Sequence, residues 1–167
     1  MKIGLLSDTH SHIDKRVLKH LENCDEIWHA GDIGSLEVTD TLAEIAPLRA
    51  VYGNIDGADI RAEFPRDLHF ELKDQTIWIT HIGGRPPKFA PGILSKLKET
   101  TPNIFICGHS HILIAKGCPE FGGLHLNPGA AGLYGNHAVR TLMRFQLTQK
   151  GVKNLEVIEI KRKSVYL

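Results

Sequence analysis

Through the first half of the chain, short apolar runs alternate with segments whose apolar residues fall at helical spacing. Residues 2–6 read as a strand, and residues 14–21 follow with Ile13, Val17, Leu18 and Leu21 on one helical face. Glu26-Ile27-Trp28 is a second strand. Ser35 can cap a helix running to about Ile45, with Leu36, Leu42 and Ile45 turned inward and Pro47 just past its end. Residues 49–52 form a third strand. Strand–helix–strand units of this length predict parallel pairing through right-handed crossovers.

The second half has a different rhythm. Leu68, Phe70 and Leu72 alternate with His69 and Glu71, and Lys73-Asp74-Gln75 separates them from the apolar residues 76–80, which predicts a hairpin. Residues 91–97 read as a helix with proline in its first turn. Residues 103–107, 112–116 and 124–126 are short strands, and residues 141–147 can pair with 154–161 across Gln149-Lys150-Gly151. The sum is an α/β fold with mixed sheets: two sheets face to face with helices outside. No repeat or linker divides residues 1–167, so a single domain is expected.

What ends each apolar run is the informative pattern. The runs finish in Asp8-Thr9-His10, in His29-Ala30-Gly31-Asp32, in Gly53-Asn54-Ile55-Asp56, in Thr80-His81 and in Gly108-His109-Ser110-His111. In open α/β sheets the carboxyl ends of strands line the ligand crevice. Imidazole and carboxylate groups gathered there suit zinc, manganese, iron or nickel. Asp8 and His10 at i and i+2 share a face of a straight strand, or converge through a turn, and His109 and His111 repeat the spacing. Glycines at 31, 53 and 108 allow sharp turns beside the ligands. Seven candidate ligands exceed the need of one four-coordinate ion, so two divalent ions sharing a carboxylate are expected, roughly 3.5–4 Å apart. Two such ions, two carboxylates and one hydroxide leave a site of charge about +1, suited to an anionic phosphoryl group.

Composition narrows the picture. Twenty Lys+Arg against nineteen Asp+Glu leave a net charge of +1, with no basic excess for a nucleic-acid binder. No apolar run approaches the roughly 18 residues of a membrane helix, and the polar residues from Ser7 onward argue against a signal peptide. Cys24, Cys107 and Cys118 are scattered and odd in number, as in reduced cytoplasmic proteins, and read as packing residues. His20, His29, His69, His125 and His137 read as satisfied core histidines, with His29 placed to support Asp32. Lys161-Arg162-Lys163 reads as a solvated terminus.

The five ordered motifs between positions 8 and 111, with Asn127-Pro128-Gly129 after them, resemble the calcineurin-like metallophosphoesterase superfamily, in particular its small bacterial and archaeal phosphodiesterases. The resemblance implies a four-layer α-β-β-α sandwich with two mixed sheets. It also implies two divalent ions (manganese, zinc, iron or nickel). One takes Asp8, His10 and His111; the other takes Asn54, His81 and His109; Asp32 bridges them. Asp32, Asn54, Asp56 and His109 are the expected catalytic residues, with Asp56 orienting a ligand through a hydrogen bond. The implied activity is hydrolysis of a small phosphate ester, chiefly a diester, by a hydroxide between the ions. Asn127-Pro128-Gly129, by itself a turn, moves toward the pocket rim.

Two positions depart from the pattern. Ile55 stands where many relatives carry a histidine that protonates the leaving group, help worth about 10²–10⁴ in rate. That favours activated esters or diesters, or transfers the acid role to His12 or water. Gly83 stands where close relatives commonly carry histidine, and Arg85 or Lys88 in the loop that follows is a candidate substrate contact. The alternative function is a protein-binding scaffold like the retromer subunit of this fold, which predicts a lost ligand or an exposed apolar patch. The resemblance allows a homodimer.

Overall fold

The computed structural model describes residues 1–162. Lys163 of the terminal basic run and the end of the expected 1–167 domain lie outside the described residues. Alternation along the strands explains the layering. In β1 (Lys2–Leu6) and β2 (Glu26–His29), Ile3, Leu5 and Trp28 point to one side of the sheet and Leu6 and Ile27 to the other. Both faces are apolar because both are covered.

The first sheet has the order β12-β11-β1-β2-β3, adding β3 (Leu48–Ala50), β11 (Val139–Thr148) and β12 (Gly151–Lys161). β1, β2 and β3 run parallel, and the β11–β12 hairpin joins antiparallel at β1. The second sheet has the order β4-β5-β8-β10-β9, from β4 (Asp67–Leu72), β5 (Gln75–Thr80), β8 (Ile104–Ile106), β9 (Leu113–Cys118) and β10 (Gly123–Pro128). Its central strands β5, β8 and β10 are parallel, and its edges antiparallel.

Three apolar layers bind the sandwich. Between the sheets lie Ile3, Leu5, Trp28, Met143 and Phe145 against Ile77, Ile79, Ile104, Ile106 and Leu126. Outside the first sheet, Leu6, Ile27 and Leu142 pack on Val17 of α1 (Lys15–Leu18), Val38 and Leu42 of α2 (Leu36–Ala43) and Ile60 of α3 (Ala58–Glu63). Outside the second, Trp78, Phe105 and Cys107 pack on Leu97 of α4 (Ile93–Thr100). The four-layer α-β-β-α sandwich expected from the sequence is the fold.

Several elements differ from expectation in extent. α1 is a single turn, capped by the Asp14 side chain on the Val17 N–H. Ser35 stands at the N-cap of α2 without a side-chain cap bond. α4 starts at Ile93, because Gly92 before it adopts a left-handed conformation. Two elements escaped the periodicity. α3 buries only Ile60, and the hairpin of β6 (Gly84–Arg85) and β7 (Lys88–Phe89) is two residues per strand. Neither is long enough to show a period.

Candidate metal centre

The parallel strands of both sheets end at one edge, and the loops leaving them lie side by side. Asp8, His10 and Ser11 donate backbone N–H bonds to the carbonyls of Gly31, Asp32 and Ile33 at 2.8–3.0 Å. Gly108 N–H bonds the His81 carbonyl, and Ala131 and Gly132 bond Ser7 and Asp8. The first bonds join loops within each sheet, and those of Ala131 and Gly132 join the segment after β10 to the loop after β1, where the candidate ligands stand.

The chain reaches this arrangement by left-handed turns. Asp8, His10, Asp32, His109 and His111 all have positive φ, between 46° and 65°. Each such residue costs roughly 1 kcal/mol or more, and their concentration at one place marks a functional site. Of the two geometries open to Asp8 and His10, the turn is the one adopted. Glycine is required at 53 and 108 for close approach. A Cβ at Gly53 would lie 2.0 Å from Asp32 Oδ1, and one at Gly108 would lie 2.1 Å from Ser7 Oγ.

Six of the seven predicted ligands fall into two clusters, Asp8 with His10 and His111, and Asp32 with His81 and His109. In the first, His111 Nε2 is 3.1 Å and His10 Nε2 3.9 Å from Asp8 Oδ1. In the second, His81 Nε2 is 3.1 Å from Asp32 Oδ1. The other Asp32 oxygen, Oδ2, faces His10 Nε2 at 3.6 Å, so this carboxylate spans both clusters. The seventh, Asn54, is exposed and lines a cavity beside His81.

The donor atoms suit cations. Asp8 Oδ1, His10 Nε2 and His81 Nε2 are buried with no hydrogen-bond partner among the described residues. Asp8 Oδ2, by contrast, is held by Ser7 Oγ–H at 2.5 Å and His109 N–H at 3.1 Å, leaving Oδ1 free for the cluster. His81 Nδ1 donates to the Ala30 carbonyl at 2.7 Å, which turns the Nε2 lone pair inward. Burial opposes charge on His81, but the Asp32 carboxylate outweighs it and raises the imidazole above its usual value. Burial likewise pushes Asp32 up, yet His81 and the Ile55 N–H hold its carboxyl below the usual range. The space between them stabilises positive charge.

Supporting residues form a second ring. Asp56 touches none of the ligand side chains. Its carboxylate accepts the N–H groups of Ile33, Gly34 and Gly53 at 2.7–3.1 Å, tying the Asp32 loop to the Asn54 loop. His29 accepts from Gly31 N–H through Nδ1 and bonds Thr9 Oγ1 through Nε2 at 2.9 Å, and complete burial pushes its pKa down to about 4. Asn127 is fully buried in β10; its Nδ2 donates to the Gly108 carbonyl and Ser110 Oγ, and its Oδ1 accepts from Gly129.

The remaining candidates separate. His125 is buried with its Nε2 3.2 Å from Cys107 Sγ; burial takes the imidazole down to about 4 and the thiol up to about 12. His69 is exposed and stacks on Trp78, so the core reading does not hold for it, and His20 is half-buried rather than in the core. His137 is half-buried, edge-on to His111. His12 faces Asp14 at 3.5 Å. Arg85 and Lys88 lie in the β6–β7 hairpin, outside the cavity lining. Arg162, read as solvated, instead donates to the carbonyls of Leu133, Gly135 and His137, because the antiparallel β11–β12 pairing returns the chain to that loop. Cys24, Cys107 and Cys118 are free and buried. Among the described residues, no helix is long and apolar enough to cross a membrane.

Sequence reasoning missed Ser7, Tyr134 and the cationic cavity wall of Arg61, Arg66 and Lys96. Ser7 directly precedes the candidate ligand Asp8, a signal that was present. The others lie outside the motifs and meet the centre only in three dimensions.

The architecture has known counterparts. An archaeal phosphodiesterase structure superposes with a TM-score of 0.76 at 26% identity, covering 96% of this chain and all of that one. A zinc-complexed Vps29 from Entamoeba histolytica superposes with a TM-score of 0.75 at 18% identity, covering 96% and 99%, a likeness of fold. A Methanocaldococcus jannaschii protein named "Probable metallophosphoesterase" is 32% identical over 138 residues, 78% of this chain and 68% of its own. Residues 1–150 match the calcineurin-like phosphoesterase superfamily domain, and the chain belongs to that superfamily.

Proposed function

We propose that the chain hydrolyses small phosphodiesters with two divalent cations. Asp8, His10 and His111 would hold one, Asn54, His81 and His109 the other, and Asp32 would span them. The observation that carries this reading is the Asp32 carboxylate, with one oxygen turned to each cluster of donor atoms. Ions bound there would polarise a phosphoryl oxygen and acidify a water. Asp8 and Asp32 neutralise only half of the ions' charge, so the site attracts an anion. His109 stands exposed at the opening, where it can meet the phosphoryl group, and its backbone N–H steadies Asp8. Asp56 acts as a positioning residue through the two loops it joins.

The leaving group sets the substrate preference. Ile55 is 46% exposed at the mouth and supplies no proton, and His12 stands outside both ligand clusters, beside Asp14. Esters whose alcohol departs without general-acid help, aryl diesters above all, are therefore favoured. Three buried thiols fit a reducing cytoplasm.

One observation favours the scaffold alternative: Ile55, Ile82, Ile112, Leu113, Leu133 and Tyr134 are exposed large apolar residues. Ile55, Ile82 and Ile112 are direct chain neighbours of Asn54, His81 and His111, and the Tyr134 ring lies against His10 at a tilt, so this rim is also the mouth of the centre. The deciding experiment measures bound metal by mass spectrometry alongside turnover of bis(4-nitrophenyl) phosphate and 4-nitrophenyl phosphate. Two equivalents with faster diester cleavage is the expected result. Tight metal binding without turnover of either ester would overturn the enzymatic reading in favour of the scaffold.

A further inference from the structure

The centre opens on one side into a cavity of about 590 Å³, within the range of small-molecule sites and larger than a lone phosphoryl group requires. Asn54 and His81 form its end toward the metal centre. Its walls carry Arg61, Arg66 and Lys96 against one carboxylate, Asp67. That carboxylate is already engaged, accepting the Trp78 indole N–H at 2.9 Å with Lys96 Nζ at 3.8 Å.

Arg61 is held in place by neutral partners, and Lys96 by a ring face besides Asp67. Arg61 donates to the carbonyls of Asp56 and Asn54 and lies over the Tyr52 ring, 4.8 Å from its centroid. Lys96 lies over Trp78 at 4.6 Å. Backbone carbonyls and ring faces orient Arg61 and Lys96 without cancelling charge, and the single carboxylate Asp67 leaves the wall with an excess of positive groups. A cationic wall continuous with a centre that itself attracts anions suits a ligand with two separated negative groups.

We propose that this cavity is a second-anion subsite: the substrate is a phosphodiester whose alcohol arm bears a further phosphate, bound by Arg61, Arg66 and Lys96 while the scissile phosphate lies at Asn54 and His81. The inference rests on the phosphoesterase reading for the word substrate, but the cavity's preference for a bisphosphate is a binding property and can be measured without turnover.

The test uses the metal-loaded protein and calorimetry with thymidine 3′,5′-bisphosphate and thymidine 5′-monophosphate. The bisphosphate is expected to bind at least about tenfold more tightly, the step worth about 1.4 kcal/mol. The advantage should shrink in R66Q and vanish in R66Q/K96Q, with circular dichroism confirming the fold. In parallel, kcat/KM for the 4-nitrophenyl ester of thymidine 3′-phosphate carrying a 5′-phosphate should exceed that for the same ester without it, through KM, and the double variant should equalise them. Equal affinities for the two nucleotides, or an advantage that survives in R66Q/K96Q, would overturn the subsite. If no diester is cleaved yet the bisphosphate preference follows Arg66 and Lys96, the cavity assignment stands and the phosphoesterase reading fails.

Discussion

The two halves of the centre are built differently. His81 leaves the end of β5, is 3% exposed, and has Nδ1 fixed by a carbonyl. His10 and His111 stand on left-handed turns with side chains 13% and 19% exposed. Rings rather than hydrogen bonds position them: His10 lies 4.8 Å from Tyr134, and His111 5.3 Å from His137. One half therefore has a sheet-anchored histidine, His81, beside the exposed His109 and opens to a cationic cavity. The other leans on a loop that Arg162 ties down from the far end of the chain. Preorganisation differs between them, and ion affinities should differ with it.

The largest effect should come from the residue common to both halves. Asp32→Ala is expected to lower metal content in both and turnover by roughly 10³-fold or more, measured by metal analysis and aryl diester hydrolysis. Loss of only one ion would break the assignment of Asp32 as the spanning ligand. The halves can then be separated: His81→Ala should remove the tighter of two calorimetric binding steps, and His10→Ala the weaker. Identical losses would erase the proposed asymmetry.

Asp56 acts on both loops at a distance. In Asp56→Asn an amide N–H would face backbone N–H groups, and metal affinity should fall about 10–100-fold. Acid should loosen the two halves together, since His29 and His125 lie beneath their loops with pKa values near 4 in the folded protein against an ordinary 6.5. A depressed imidazole stabilises the fold fully above 6.5, and that contribution is lost as pH falls toward 4. Each of these histidines should cost about 2 kcal/mol by pH 4.5, read from denaturant midpoints, and His125→Asn should flatten the profile. The smallest effect is expected from Arg162→Gln, which frees the Tyr134 loop. It should weaken only the His10 side, by about threefold.

Much of the centre was legible because it lies in short motifs at strand ends. Asp8, His10, Asp32, His81, His109 and His111 are local to those runs, and the apolar alternation around them places each run in a sheet. The role of Asp56 was half visible: its buried hydrogen bonding was expected, but its three backbone partners lie about twenty residues away or across a turn. Arg162 looked like any terminal cation until β12 brought it to the 133–137 loop. His69 was misplaced because a histidine amid apolar residues carries no local mark of which face it occupies.

The sequence by itself determined the layer order, the identities of the candidate metal ligands and the absence of an acid at position 55, since period-2 burial and side-chain chemistry are properties of the residues and their spacing. The tertiary structure decided how the ligands divide into two clusters, that Asp32 turns one oxygen to each, and that Arg61, Arg66 and Lys96 share a wall with His81. Those outcomes depend on left-handed turns and on contacts between α3, α4 and the two sheets. Such long-range geometry arises only when the packed layers fix where each loop can go.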